Sequence, residues 1–103
     1  MTLTAAQAER WATRLVTSRT THTCCPPITS TVDLDLDDAY AIQRAVTAIR
    51  VRRGEVVVGW KLGYTSLAMR AQMGIDQPNF GPLTDAMLWG PGEATAPLIQ
   101  PRA

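Results

Sequence analysis

The chain has 103 residues, of which 46% are hydrophobic and 18% charged, a composition typical of one globular domain rather than of a disordered segment. Ten basic side chains against nine acidic ones give a net charge of +1, which excludes the strongly basic surface of a nucleic-acid-binding protein. No apolar run reaches the roughly 18 residues of a membrane span, and the N-terminus lacks the residue order of a signal peptide, so we expect a cytoplasmic protein.

The first predicted element is a helix at about 5–18. Thr4 followed by Gln7 is a capping-box pattern, and apolar residues recur after it at helical spacing. A second helix is predicted at about 36–53, where Asp35 provides the cap, further aspartates occupy the first turn, and a glycine follows the last turn.

A loop rich in Thr, Ser and Pro is predicted between the helices, at about 18–34. It contains His22, Cys24 and Cys25, three side chains that bind soft metals. A structural zinc site needs a fourth ligand, which the sequence does not offer, and adjacent cysteines do not build a disulfide framework. The loop is therefore interpreted as a connection that contains two small thiols.

The second half of the chain has the period of β-strands. A strand is predicted at about 55–63, a short helix capped by Thr65 or Ser66 at about 66–73, a strand at about 80–84 and another at Ala96 to Ile99. These elements predict an α+β chain in which 1–103 form a single subdomain. The predicted core consists of Trp11, Leu15, Ile42, Val46, Ile49, Val56, Val58, Trp60, Met69 and Met73.

The stretch "GWKLGY" places Lys61 in the middle of the first strand, between Gly59 and Gly63. Because side chains alternate along a strand, the lysine shares its face with both glycines, and Trp60 lies on the other face. Such a face leaves room for a small molecule beside an ammonium group that holds an anion or exchanges a proton. The alternative is an edge-strand lysine that discourages aggregation, with the glycines marking a bulge.

Three stretches carry a family resemblance: "DAYAIQRA" (38–45), "VVGWKLGYTSLAMRAQMGIDQPNFGPLTDAM" (57–87) and "LIQPR" (98–102). Together they resemble the N-terminal part of the 2-hydroxypentadienoate hydratase and 4-oxalocrotonate decarboxylase family, within the fumarylacetoacetate-hydrolase-like enzymes. The resemblance runs from about Asp33 to Arg102. It implies a helical and short-strand subdomain of that fold, with the β-rich catalytic core missing from this chain.

The resemblance implies a metal-dependent lyase in the meta-cleavage breakdown of aromatic compounds. In such enzymes Mg²⁺ or Mn²⁺ binds a small unsaturated 2-oxo acid and stabilises its dienolate. A hydratase adds water to 2-hydroxypenta-2,4-dienoate to give 4-hydroxy-2-oxopentanoate, whereas a decarboxylase releases CO₂ from the same type of intermediate. Lys61 matches the family's active-site lysine, and Gly63 and Thr65 match substrate-binding positions.

Two departures from the family pattern bear on this chemistry. Asn79 stands where the hydratases usually have an aspartate for proton transfer, so Asp76 or a bound water would have to act in its place. The family's Glu-x-Glu metal ligands follow "QPR", just beyond Ala103. The resemblance therefore implies that this chain by itself binds no metal and is inactive.

The partners implied by the resemblance are a small 2-oxo acid and either further copies of the chain or a related hydratase or decarboxylase. Nucleic acid and membranes are not expected. The alternative function is that of a non-catalytic remnant, an interaction module that docks onto a full-length homologue.

Overall fold

The structure, a computed structural model, describes residues 2–90 and shows an α+β chain, as predicted. The chain, expected to be a single subdomain, groups into two compact units, one up to Gly54 and the other Glu55–Leu88. Within residues 2–90, no helix is long and apolar enough to cross a membrane. The strand predicted at Ala96 to Ile99 and the stretch "LIQPR" lie outside the described residues.

Helix α1 (Ala5–Thr21) begins with the predicted capping box. The Thr4 hydroxyl accepts a hydrogen bond from the Gln7 N–H at 3.1 Å, and the Gln7 side chain accepts one from the Thr4 N–H at 2.9 Å. The helix extends beyond the predicted end near Ser18 because His22 caps it in the left-handed conformation, with φ 54°. The predicted loop therefore begins later, and a short 3-10 turn, Ile28–Ser30, interrupts it.

Helix α2 (Leu36–Arg52) is capped by Asp35, as predicted. The Asp38 N–H donates to Asp35 Oδ1 at 2.7 Å, and this hydrogen bond is the main reason why the pKa of Asp35 is lowered. The Asp38 carboxylate, only 3% exposed, accepts from the Asp35 N–H at 3.2 Å and from the Leu3 N–H at 2.8 Å. Asp38 therefore ties the segment before α1 to the start of α2.

The core of the first unit lies between these two helices. Alanines on α1 bring it close to α2, and the predicted residues Trp11, Leu15 and Val46 are partly buried against this core. An exposed ion pair joins Arg52 to Glu9 at 3.2 Å and adds little stability, since water screens it. The fully buried apolar side chains are Ala8, Ala12, Val16, Ile42 and Ile49.

The second unit contains the antiparallel pair β1 (Val57–Gly63) and β2 (Asn79–Thr84), joined through helix α3 (Leu67–Met73). The Ser66 hydroxyl caps α3 by accepting from the Met69 N–H at 3.1 Å, and Gly74 ends it with φ 71°. Local signals for turns and caps thus set the bounds of these elements.

Side-chain hydrogen bonds hold the end of the sheet that lies away from α3. The Thr84 hydroxyl, which is buried, donates to Glu55 Oε1 at 2.5 Å, and Asp85 Oδ1 accepts from the Val56 N–H at 3.0 Å. A 3-10 turn, Asp85–Met87, follows. This end of the unit is therefore anchored independently of α3.

The core prediction is wrong for the second unit. Val56 is 58% exposed, Trp60 60% and Met73 54%, and Val58 and Met69 are also exposed. A two-stranded sheet and a seven-residue helix form too small a layer to bury their own apolar side chains. The strand pattern correctly indicated apolar residues but not that the unit leaves them uncovered.

Candidate functional site

The strand pairing surrounds Lys61 with glycine on three sides. Gly59 and Gly63 are its neighbours on the same face of β1, and Gly81 of β2 lies directly opposite. Asn79 lies opposite Gly63 on this face. We call these five residues the lysine face.

The two glycines of β1 serve different purposes. A side chain at Gly63 would collide with the Asn79 carboxamide, whose Oδ1 lies against the glycine and whose Cγ would be 3.3 Å from a Cβ atom. A side chain at Gly59 would meet nothing within 4 Å, so this glycine leaves open space next to the lysine. Gly63 therefore permits a close approach of Asn79, and Gly59 keeps the surface beside Lys61 clear.

The β-bulge of the alternative interpretation is present as well. The register shifts between Val57 and Gly59, so strict alternation of faces holds only from Gly59 to Gly63. Alternation along the strand consequently does not fix the faces of Val56 and Val58, which precede or form the bulge. Both strands are edges of the sheet in the described part of the chain, so edge protection by Lys61 and a binding role remain compatible.

Lys61 itself is exposed, and it is the only lysine in the sequence. Among residues 2–90 its side chain has no hydrogen bond or ion pair. An ammonium group with three donors and no carboxylate partner, beside the open space at Gly59, suits a small anion such as a carboxylate. Of the two roles considered from the sequence, the charge and the exposure of Lys61 thus favour the holding of an anion.

Of the other predicted site residues, only Gly63 and Asn79 share this face with the lysine. Thr65 and Asp76 are exposed and lie in the connection from β1 to β2, on either side of α3. Because Gly63 pairs with Asn79, this connection leaves and re-enters the sheet at the same end of the lysine face. Asn79 offers an amide donor and an acceptor but no exchangeable acid proton near neutral pH.

Arg70 is a residue that sequence reasoning missed. Its Nη1 atom donates to the Tyr64 carbonyl at 2.9 Å and to the Thr65 carbonyl at 3.0 Å. Tyr64 has φ 54°, in the left-handed region. A basic residue near the end of a short helix ordinarily indicates only the helix dipole, so no sequence signal pointed to these contacts.

The opposite face of the sheet is apolar. The rings of Trp60 and Phe80 lie 5.9 Å apart between centroids and are tilted by 53°. Leu62, on the same face, is 70% exposed. Among the described residues the two faces therefore differ in character. One has a single cation beside glycines, Asn79 and the half-buried Leu83, and the other has exposed aromatic and aliphatic side chains.

The donors of the lysine face do not fit a divalent metal. An ammonium group is not a ligand, and Mg²⁺ requires several hard oxygen donors. Within residues 2–90, no group of three or more His, Cys, Asp or Glu side chains is arranged to hold a metal ion, and neither Cys24 nor Cys25 forms a disulfide bond. No chemical step at this site is therefore assigned to a metal.

Comparison with known proteins reveals close relatives. The chain is 46% identical over 81 residues to a 2-hydroxypent-2,4-dienoate hydratase of Pseudomonas putida and 37% identical over 89 residues to a 2-hydroxyhexa-2,4-dienoate hydratase of Comamonas testosteroni. The alignments cover 75% and 82% of this chain. This chain is a relative of these hydratases. No protein-family model matches it.

Solved structures support the same relationship. The chain superimposes with a TM-score of 0.76, at 31% identity, on 4-oxalocrotonate decarboxylase from Pseudomonas putida G7, solved with calcium and acetate and also with magnesium and adipate. The match covers 82% of this chain. The resemblance to the hydratase and decarboxylase family, inferred from the three sequence stretches, is confirmed.

The chain spans about a third of the length of these relatives. It covers 36% of the P. putida hydratase, 34% of the C. testosteroni hydratase and 33% of the decarboxylase. The relatives named here are all lyases, whose reactions involve a carbon–oxygen or a carbon–carbon bond. The similarity therefore concerns only a part of each of these lyases.

Proposed function

We propose that this chain forms the lysine-bearing part of a hydro-lyase that adds water to 2-hydroxypenta-2,4-dienoate or a similar small unsaturated 2-oxo acid. The observation that carries the proposal is the Lys61 ammonium, which has no side-chain partner among residues 2–90 and lies between two glycines, in a chain related to dienoate hydratases. The proposal includes a fumarylacetoacetate-hydrolase-like fold for the whole protein, to which this chain contributes the helical and short-strand part.

The proposed role of Lys61 is to bind the carboxylate of the substrate through charge-assisted hydrogen bonds. Gly59 leaves open space beside it, which suits a planar conjugated acid. Asn79 is proposed to donate a hydrogen bond to a substrate oxygen and thereby orient the acid, without transferring a proton.

Three further assignments complete the proposed site. Gly63 binds the substrate through its backbone, and Thr65 lies in the connection just beyond it. Asp76, or a water molecule, supplies the proton transfer that an amide at position 79 does not perform.

Mg²⁺ or Mn²⁺ is proposed for the whole protein and would be held by residues outside 2–90. Assembly with further copies or with a related enzyme stays a prediction, which analytical ultracentrifugation tests.

The experiment uses the protein expressed from its natural reading frame, assayed with Mg²⁺ and with Mn²⁺ present. Consumption of 2-hydroxypenta-2,4-dienoate is followed by ultraviolet absorbance, and the hydrated product is identified by NMR. We expect Lys61→Ala to lower kcat/KM by about 100-fold or more, because the carboxylate loses its charged partner. Arg44→Ala, which removes an exposed cation from α2, is the matched control and should leave the rate unchanged.

The outcomes separate the candidate functions. Release of CO₂ from 4-oxalocrotonate without hydration of the dienoate would favour a decarboxylase, the function of the solved structural neighbour. An unchanged rate in Lys61→Ala would leave protection of the strand edge as the role of this lysine. Turnover of neither acid would refute the proposed lyase and favour the interaction module.

A further inference from the structure

The turn that follows β1 has an unfavourable backbone conformation. Tyr64 adopts φ 54°, a left-handed conformation that residues with a side chain adopt at an energetic cost. It follows Gly63 directly, so it sets the direction in which the chain leaves the lysine face. Something in the surrounding structure must hold it there.

The Arg70 guanidinium provides that restraint. One nitrogen, Nη1, donates to two successive carbonyls, those of Tyr64 at 2.9 Å and Thr65 at 3.0 Å. Such hydrogen bonds are charge-assisted and therefore stronger than those between neutral groups. Arg70 is half-buried and belongs to α3, which starts at the Ser66 cap immediately after the turn. The Arg70 side chain thus links helix α3 to the turn that precedes it.

The turn that Arg70 holds directly adjoins the lysine face. Asn79 rests against Gly63, the residue next to Tyr64, with its carboxamide in the space where a side chain would lie. A relaxed turn would move the Gly63 peptide and the surface on which Asn79 packs. Arg70 is not a member of the lysine face, so any influence it has on that face passes through the backbone of the turn.

We propose that Arg70 is a positioning residue: by holding the carbonyls of Tyr64 and Thr65, it fixes the end of β1 and the placement of Asn79 beside Lys61. Its effect on turnover rests on the proposed function. Its effect on the position of Asn79 does not depend on the proposed function. The effects of Arg70 on turnover and on the position of Asn79 can therefore be tested separately.

The structural test compares Arg70→Met, which keeps an apolar stem but no donor, with Arg70→Lys, which keeps a charged donor. Arg44→Met removes an exposed arginine from α2 and is the control. In ¹⁵N-edited NMR spectra, the Gly63 amide and the Asn79 side-chain amide should shift in Arg70→Met and return toward their wild-type positions in Arg70→Lys. The amide of Thr84, at the anchored end of the sheet, should stay unchanged.

The kinetic test measures each variant well below its thermal unfolding midpoint. Arg70→Met should lower kcat at saturating substrate about tenfold, with a smaller change in KM, because misplaced groups impair the reaction more than binding. Arg70→Lys should restore most of this loss, a rescue that a general loss of folding would not produce. Where Arg70→Met does not fold, Arg70→Gln, with a shorter side chain and an amide donor, replaces it.

Unchanged signals of Gly63 and Asn79 in Arg70→Met overturn the proposal, and so does an unchanged kcat in a protein that turns over a 2-oxo acid. If the wild-type protein turns over neither dienoate nor 4-oxalocrotonate, the proposed function fails. In that case the NMR shifts alone decide whether Arg70 positions the lysine face.

Discussion

At the scale of single residues, the surroundings of Lys61 explain why a strand contains two glycines so close together. Gly63 is needed because Asn79 occupies the space of its side chain, whereas Gly59 borders the bulge and open space. Gly81, which is buried, lies opposite Lys61 on the other strand. The lysine face is therefore shaped by missing side chains as much as by those that are present.

The different roles of the two glycines lead to a matched prediction. Gly63→Ala should displace the Asn79 carboxamide and lower kcat/KM for the dienoate by about ten- to a hundredfold, as small displacements of positioned groups do. Gly59→Ala, on the same face and strand, should leave the Asn79 carboxamide in place, because its added methyl group meets no described atom within 4 Å. It should act only by crowding the surface beside Lys61, and should therefore raise KM more than it lowers kcat. Equal effects of the two substitutions would contradict the assignment of Asn79 to the site.

At the scale of elements, buried polar contacts decide where the helices begin. Asp38 is the third residue of α2, yet its carboxylate is buried and bound to the N–H groups of Leu3 and Asp35. It therefore serves both the cap of its own helix and the attachment of the chain before α1. A buried carboxylate with several N–H donors contributes more to stability than an exposed one in the same turn.

Asp38→Ala should consequently lower the free energy of unfolding by about 1–3 kcal/mol, since it leaves two backbone donors without their acceptor. Asp37→Ala removes an exposed carboxylate from the same first turn and should cost less than about 1 kcal/mol, the usual effect of the helix dipole. Urea denaturation followed by far-ultraviolet circular dichroism measures both values. If Asp37→Ala lowers the free energy of unfolding as much as Asp38→Ala does, then the charge of the first turn, rather than the buried contacts, stabilises this end of the helix.

At the scale of the whole molecule, the two units differ in how well they bury their apolar residues. The first has a core between α1 and α2, whereas the second exposes Trp60, Leu62 and Leu67. The relatives are more than twice as long as this chain, because the 81 and 89 aligned residues make up only 36% and 34% of their lengths. In a protein of that length, additional chain is available to cover such residues and to provide oxygen ligands for a metal.

The 103-residue polypeptide expressed by itself should therefore bind the dye ANS through the second unit and should not turn over the dienoate, even with Mg²⁺ or Mn²⁺. Trp60→Thr combined with Leu62→Thr should reduce the dye fluorescence. Turnover by this polypeptide alone would contradict the prediction, because residues 2–90 contain no group of acidic side chains that could hold the metal.

Much of the local structure was predictable from the sequence. The caps at Thr4, Asp35 and Ser66 and the stop at Gly74 depend on residues within one helical turn, and the structure shows each of them. The exposure of Val56 and Met73 was not predictable, because burial depends on which layers pack against a strand or helix. An apolar pattern indicates which residues favour burial, not whether a covering layer exists.

The sequence by itself determined the helix starts, the strand around Lys61 and the resemblance to dienoate hydratases, because each depends on neighbouring residues or on characteristic short stretches. Only the tertiary structure decided that Gly81 faces Lys61, that Asn79 rests on Gly63, and that Arg70 binds the turn after β1. The physical reason is that strand register and side-chain reach join segments that are apart in the sequence. A register shifted by one residue would have placed Lys61 and Asn79 on opposite faces.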